Sequence, residues 1–196
     1  MDVGCGNGSL VAWLQSVGYA HAEGIDVSAE QIEEARRLNV WNVQQASLKP
    51  YLSTRHFSYD VIVMRDVLEH FAKDEVLDIL DCCYAALRPG GRLIAQVPNA
   101  ESPFFGRIRY GDFTHDLAFS VTSLQQIFAV VGFDELAMHP VEPAIISVRS
   151  ALRYPLWRAV SALYQMLLFA ELGPGRRIVT QGIIVVATKG APRQEM

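Results

Sequence analysis

The sequence has no excess of positive charge: its 17 Lys and Arg are outnumbered by 21 Asp and Glu, for a formal net charge of −4. A general grip on nucleic acid needs a basic face that displaces counterions from phosphates, so nucleic acid is not an expected partner. Cysteine is scarce as well. Cys5, Cys82 and Cys83 cannot make a disulfide framework, and no Cys/His pair has zinc-ligand spacing, so a reducing cytoplasm is the expected compartment and no metal is implied. No uncharged apolar run reaches the roughly 18 residues of a membrane span. No basic stretch, short apolar run and small-residue cleavage site combine into a secretion signal, and there is neither an internal repeat nor a low-complexity tract.

What is present is apolar material, 51% of the 196 residues, enough for one domain over 1–196 with a sizeable core. Helical and strand patterns alternate, which predicts an α/β fold with a doubly wound, mostly parallel sheet. After a glycine-rich opening, "SLVAWLQSVG" places Leu10, Val11, Leu14 and Val17 at helical spacing and stops at Gly18. "AEGIDVS" reads as a short buried strand, and Ser28 followed by Gln31 predicts a capping box for the helix "AEQIEEARRLN". "WNVQQASL" is a weaker strand, "YDVIVMRDV" a strong one, and "KDEVLDILDCCYAALRPGG" an amphipathic helix closed by Pro-Gly-Gly before the strand "RLIAQVP". A loop from Asn99 to about Ser120 precedes the helix "TSLQQIFAVVGF", and "DELAMHPVEP" and "GIIVVATK" read as the last strands.

One segment breaks the alternation. Residues 144–172 form an apolar helical insertion before the last strand, which Pro155 is expected to divide. Leu156, Val160, Leu163 and Leu167 make one stripe, widened by Trp157, Tyr164 and Leu168 beyond what a thin surface helix requires. A covered face is expected: against the sheet, against a second copy in a homodimer, or at a membrane interface through 151–172 beside Arg153 and Arg158. The last alternative places the protein at the inner face of the membrane.

The chemistry sits in "MDVGCGNGSL", where Gly4, Gly6 and Gly8 alternate. A glycine-rich strand-to-helix turn lets the backbone approach a nucleotide-like ligand, and the helix start offers free N–H donors. Asp26 closes the next strand roughly 20 residues on, where a carboxylate can accept both ribose hydroxyls of an adenosine. A dinucleotide fingerprint would need its third glycine where Ser9 stands, and a phosphate-cradling loop would need a lysine that is absent.

The stretch D-V-G-C-G-N-G resembles motif I of the class I S-adenosylmethionine-dependent methyltransferases. In the same order as in that family, "GIDVS" is similar to its ribose-binding motif, "YDVIVMRDVLEHF" to its fourth-strand motif, and "ALRPGGRLIAQVPN" to its helix, turn and fifth strand. The resemblance runs from about Asp2 to Lys189 and implies a Rossmann-like methyltransferase sheet with S-adenosyl-L-methionine as cofactor. By motif position it implies that Gly4, Cys5, Gly6, Asn7 and Gly8 surround the methionine part and that Asp2 takes the ammonium group. It further implies that Asp26 holds the ribose and that Val27 touches adenine. Ser47 and Leu48 stand where many members place an adenine-binding acid. Arg65 falls at the family's pocket floor, with a structural pairing to Asp66 or Glu69 as the alternative. The family also carries a lid segment and a longer first strand ahead of the acid; neither precedes Asp2, so the expectation is a chain truncated at its N-terminus.

Transfer of a methyl group to a hydroxyl or amine requires alignment, exclusion of water and a destination for a proton. His70 and His115 are the expected bases, with Asp112 and Asp116 beside the second. "PNAESPFFGRIRYGDFTHDLAFS" is similar to a subgroup associated with bacterial surface-glycan and lipid-linked saccharide assembly. There Phe104, Phe105, Tyr110 and Phe113, with Arg107, Arg109 and Asp112, suit a sugar face and its hydroxyls. The resemblance thus implies O-methylation of a saccharide or lipid-linked glycan. A small-metabolite or quinone-type acceptor is one alternative, and a cofactor-binding module with little turnover for want of the lid is another.

Overall fold

In the computed structural model, which describes residues 1–175 and 177–191, the short strand β1 (Asp2–Val3) leads through the glycine turn into α1 (Ser9–Ser16). Two further units follow: β2 (Gly24–Asp26) with α2 (Ala29–Arg37), and β3 (Val43–Gln45) with α3 (Leu48–Leu52). Next come β4 (Tyr59–Arg65), a single 3-10 turn (Leu68–His70), α4 (Val76–Ala86) and β5 (Leu87–Pro98). The chain closes with α5 (Phe105–Arg109), α6 (Val121–Val131), β6 (Glu135–Pro140), α7 (Val148–Leu172) and β7 (Gly182–Thr188). The seven strands form one sheet in the order β3-β2-β1-β4-β5-β7-β6. β1 to β5 pair in parallel, and β7 enters antiparallel between β5 and β6. The doubly wound, mostly parallel architecture read from the sequence is the one observed.

Alternation along the strands sets the core. On β7, Ile183, Val185 and Ala187 are fully buried, and Val185 pairs in register with Ala95 of β5. They join Ile62 and Met64 of β4, Leu80 of α4 and Phe128 of α6 in the main cluster. A smaller cluster of Cys5, Val11, Ile32, Ala35, Val40 and Val43 lies under the glycine turn and anchors it.

Several boundaries differ from the sequence reading. α4 stops at Ala86 and Pro89-Gly90-Gly91 lies inside β5, because the residue before a proline is pushed out of helical conformation. Ser47 opens α3, a helix that the strand reading of "WNVQQASL" missed. The loop after Pro98 contains α5 and a bridge between Asn99 and Phe119. α7 begins only at Val148, with the Ser147 hydroxyl accepting from the Ser150 N–H, and runs unbroken through Pro155, which removes one bond of the ladder without dividing the helix. Its packing is also rotated from expectation: Leu156, Val160, Leu163 and Leu167 are exposed, while Trp157, Tyr164 and Leu168 are the half-buried side chains. Among the described residues, no helix is long and apolar enough to cross a membrane.

Candidate active site

In a parallel sheet, ligands bind beyond the carboxyl ends of the strands, where the winding direction reverses. Here that place lies around β1, from which the chain winds outward to β2 and β3 on one side and to β4 and β5 on the other. A cavity of about 690 Å³ opens there. Its wall takes Val3 of β1 and Gly4 just after it, Ile25 and Asp26 of β2 and Val27 just after it, Ser47 and Leu48 after β3, and Asp66, Val67 and His70 after β4. A larger cavity of about 940 Å³ lies beneath α7, but no residue of the glycine turn or of the ends of β2 and β4 borders it.

The glycine turn is held from behind. The N–H groups of Gly4 and Cys5 donate to Ile25 O at 2.8 and 3.0 Å. The Gly6 N–H donates to Asp26 Oδ2 at 2.8 Å, and the Ser28 N–H to Asp26 Oδ1 at 2.8 Å. Asp26 therefore ties the turn to the head of α2. The Ser28 hydroxyl accepts from the Gln31 N–H as expected, but the Ser28 N–H goes to Asp26, so the reciprocal half of the capping box is replaced. Each carboxylate oxygen of Asp26 keeps a further acceptor site, which suits a ribose diol.

Gly4 has φ +72°, and a Cβ there would lie 2.5 Å from Val67 Cγ2, so only glycine lets the turn approach the segment after β4 this closely. Asn7 closes the first turn of α1 by accepting from the Ser9 N–H and hydroxyl. Cys5 is buried and its thiol is pushed up to about 12 by that burial, so it acts as a small apolar side chain and not as a nucleophile. Across the cavity, Ser47 is the N-cap of α3 yet makes no side-chain capping bond. Val27 lies exposed at the rim.

Asp2 is buried at 4% exposure and, unlike Val3 and Gly4, does not line the cavity; burial raises its carboxyl to about 6, with the Arg65 charge acting in the opposite sense. Arg65 itself is exposed and does not line the cavity; Asp66 and Val67 occupy the floor instead. Neither structural pairing of Arg65 is seen among the described residues: Asp66 accepts from the Gln96 amide at 3.0 Å, and the Glu69 carboxylate oxygens have no hydrogen-bond partner.

His70 and His115, 45 residues apart in sequence by number, meet edge-on with ring centroids 4.8 Å apart. His70 Nδ1 lies 3.0 Å from the Thr114 hydroxyl, and His115 Nδ1 lies 3.0 Å from Ile108 O. Asp112 accepts from the Thr114 N–H and hydroxyl, and Arg109 donates to His115 O. The backbone N–H groups of Asp116 and Leu117 donate to Glu69 O, and among the described residues no hydrogen bond joins the Asp116 side chain to His115. Glu69 is the functional candidate that the sequence reading missed. It is fully buried, and burial raises its carboxyl to about 7. His70 and Thr114 bring this group to the cavity wall. Of the loop aromatics, Tyr110 and Phe113 stand almost free in solvent, and Phe105 packs edge-on to Tyr110.

Comparison with known proteins agrees with this geometry. A methyltransferase-domain family model matches residues 1–137. The mitochondrial ubiquinone biosynthesis O-methyltransferase of Rattus norvegicus is 33% identical over 107 residues, covering 50% of this chain and 30% of that protein. The ubiquinone biosynthesis O-methyltransferase of Xylella fastidiosa is 33% identical over 104 residues, covering 50% and 41%. The match thus takes in less than half the length of these curated relatives. Among solved structures, an S-adenosylmethionine-dependent methyltransferase from Archaeoglobus fulgidus superposes with a TM-score of 0.71 at 19% identity, covering 96% of this chain and 84% of that one. Phosphoethanolamine N-methyltransferase 2 of Haemonchus contortus, solved with S-adenosyl-L-methionine, superposes with a TM-score of 0.64 at 18% identity, covering 97% and 48%. With the glycine turn, Asp26 and the sheet order in place and the family model spanning most of the length, this chain belongs to the methyltransferase-domain family.

Proposed function

We propose that the chain binds S-adenosyl-L-methionine in the cavity at the β1, β2 and β4 ends and methylates a hydroxyl of a small acceptor. The observation that carries this reading is Asp26, whose carboxylate closes the glycine turn while keeping acceptor sites free at the cavity wall. The residues fit the group. Asp26 would hold the ribose hydroxyls, Ser47 and Leu48 the adenine edge with Val27 beside it, and the glycine turn, which reaches the cavity wall at Gly4, the methionine part. When bound, the cofactor supplies an electrophilic methyl group. The chain supplies alignment between the glycine turn and the wall of Val67 and His70. An acceptor hydroxyl gives up its proton as its oxygen gains the methyl, and the group of Glu69, His70 and His115, which reaches the cavity wall through His70, assists that departure.

The curated relatives are named as ubiquinone biosynthesis O-methyltransferases, which favours a small-metabolite acceptor bearing hydroxyls. The exposed Tyr110 and Phe113 rings, on the same loop as His115, favour a saccharide as the second reading. Mass-spectrometric assay of a dihydroxybenzene acceptor and a glycoside, each with the cofactor, separates the two. Methylated dihydroxybenzene supports the first, methylated glycoside the second, and product from neither removes this reading of the acceptor site.

Asp2 makes the proposal pH-dependent. Because its folded carboxyl is raised to about 6, the neutral acid's contribution to stability is fully present below the unfolded pKa and is lost as pH rises through about 6. An ammonium ligand requires the opposite form, the carboxylate. Cofactor affinity should therefore rise roughly tenfold or more between pH 5 and 7, the scale of one charge-assisted hydrogen bond. Asp2→Asn should flatten that rise and remove the accompanying loss of stability. Calorimetric titrations across this range check it, and a flat wild-type profile would contradict the assignment.

A further inference from the structure

We propose that Glu69, His70 and His115 form a binding site for a divalent transition-metal ion, with an open coordination position on the cavity side. One donor atom from each of the three lies within 4.8 Å of the others. Two imidazoles and one carboxylate are a ligand set that suits zinc and its first-row neighbours and leaves room for a further ligand.

The hydrogen bonds around the group point the same way. Both histidines have Nδ1 committed: in His115 to Ile108 O at 3.0 Å, in His70 to the Thr114 hydroxyl at 3.0 Å and Thr114 O at 3.3 Å. A carbonyl only accepts, and the Thr114 hydroxyl gives its own proton to Asp112 Oδ1 at 2.7 Å. In the neutral rings the proton therefore sits on Nδ1, and Nε2 of each carries a lone pair. Outer partners that fix the tautomer in this way are characteristic of metal-ligating histidines. Neither ring then has a proton to give Glu69, and both of its buried oxygens lack a partner. An orphaned carboxylate beside two imidazole lone pairs is a costly arrangement by itself and is satisfied all at once by a cation. Asp112 Oδ2, 4.0 Å from His115 Nε2, adds negative charge at the rim.

Metal–ligand bonds of about 2.0–2.2 Å place tetrahedral donors roughly 3.4 Å apart. Loading therefore draws the three groups inward. His115 belongs to the loop after β5, whereas Glu69 and His70 follow β4, so the ion would clamp that loop onto the sheet edge where the Asp116 and Leu117 N–H groups already bind Glu69 O. The next step rests on the methyl-transfer reading: the open position takes an acceptor hydroxyl, the ion lowers its pKa, and the proton leaves to water. An acceptor with two adjacent hydroxyls, able to chelate, is the substrate class this favours.

The site is tested without cofactor or acceptor, so its failure is separate from that of methyl transfer. The full chain, stripped with chelator, is titrated with Co²⁺ and followed by its visible absorption, then with Zn²⁺ in competition. One equivalent of Co²⁺ displaced by Zn²⁺ is expected, with Glu69→Gln and His115→Ala each weakening binding about 100-fold or more. Cys82→Ser is expected to leave binding unchanged. His115 is only half-buried on its loop, so its variant reports even where the Glu69 variant fails to fold. No saturable Co²⁺ binding by folded wild-type protein, or equal binding by folded His115→Ala, would overturn the proposal.

Discussion

Asp26→Ala should weaken S-adenosyl-L-methionine binding by at least about 100-fold. The wild-type carboxylate accepts from the Gly6 and Ser28 N–H groups, both at 2.8 Å. Hydrogen bonds to a charged group contribute about 1.5–3 kcal/mol each. Those two bonds hold the turn and their loss lowers stability; the binding loss comes from the ribose diol, where two bonds to the carboxylate at the lower figure amount to about 3 kcal/mol, already more than 100-fold. Asp26→Asn separates charge from shape: it keeps the outline of the side chain but turns an amide donor toward one of the two N–H groups. Titration calorimetry on both variants, with circular dichroism to confirm folding, checks the prediction. Affinity within threefold of wild type for Asp26→Ala would remove the ribose assignment.

Gly4→Val should cost both stability and binding. At φ +72° a β-branched residue is strained, since the left-handed region alone costs roughly 1–2 kcal/mol. The new Cβ would also meet Val67 Cγ2 at 2.5 Å. Val67 lines the cavity, so any displacement that relieves the contact deforms the binding surface. A loss of about 2–4 kcal/mol is expected, a fall in melting temperature of roughly 5–15 °C for a chain of this size. Trimming Val67 to alanine in the Gly4→Val background should recover part of the loss, because it removes the collision and leaves the backbone strain. Full recovery would show that strain contributes nothing, and no recovery that the collision does not occur.

The parts of this site that were legible in sequence are those built from local rules. Gly4 at the head of its turn, Asp26 at the end of its strand, and Ser47 with Leu48 all lie within a few residues of a strand end and line one cavity, while Asp2, Cys5, Gly6, Asn7 and Gly8 stand behind that wall and are not part of it. What escaped depended on contacts across the chain. Glu69 sits in a three-residue 3-10 turn, too short for a periodicity to show that it points inward, and its group is completed by Thr114 and His115 on a later loop. Arg65 ends a strand whose alternation turns its side chain outward, so its motif position did not become a place in the cavity wall. On α7 two apolar faces compete, and helical spacing alone does not tell which one packs; Trp157, Tyr164 and Leu168 do. The Ser28 capping signal does mark a helix start, but its N–H binds the upstream Asp26 carboxylate, a partner that helical spacing does not reveal.

The central claim is that the cavity beside Asp26 is a cofactor site. Calorimetric titration of the chain with S-adenosyl-L-homocysteine, which has the same adenosine and amino-acid parts and no methyl group to lose, tests it most directly. One-to-one saturable binding is expected, with a Kd on the order of micromolar, in line with ordinary enzyme–ligand affinities, together with its loss in Asp26→Ala. Absence of binding by the folded chain, or binding that survives in Asp26→Ala, would contradict it.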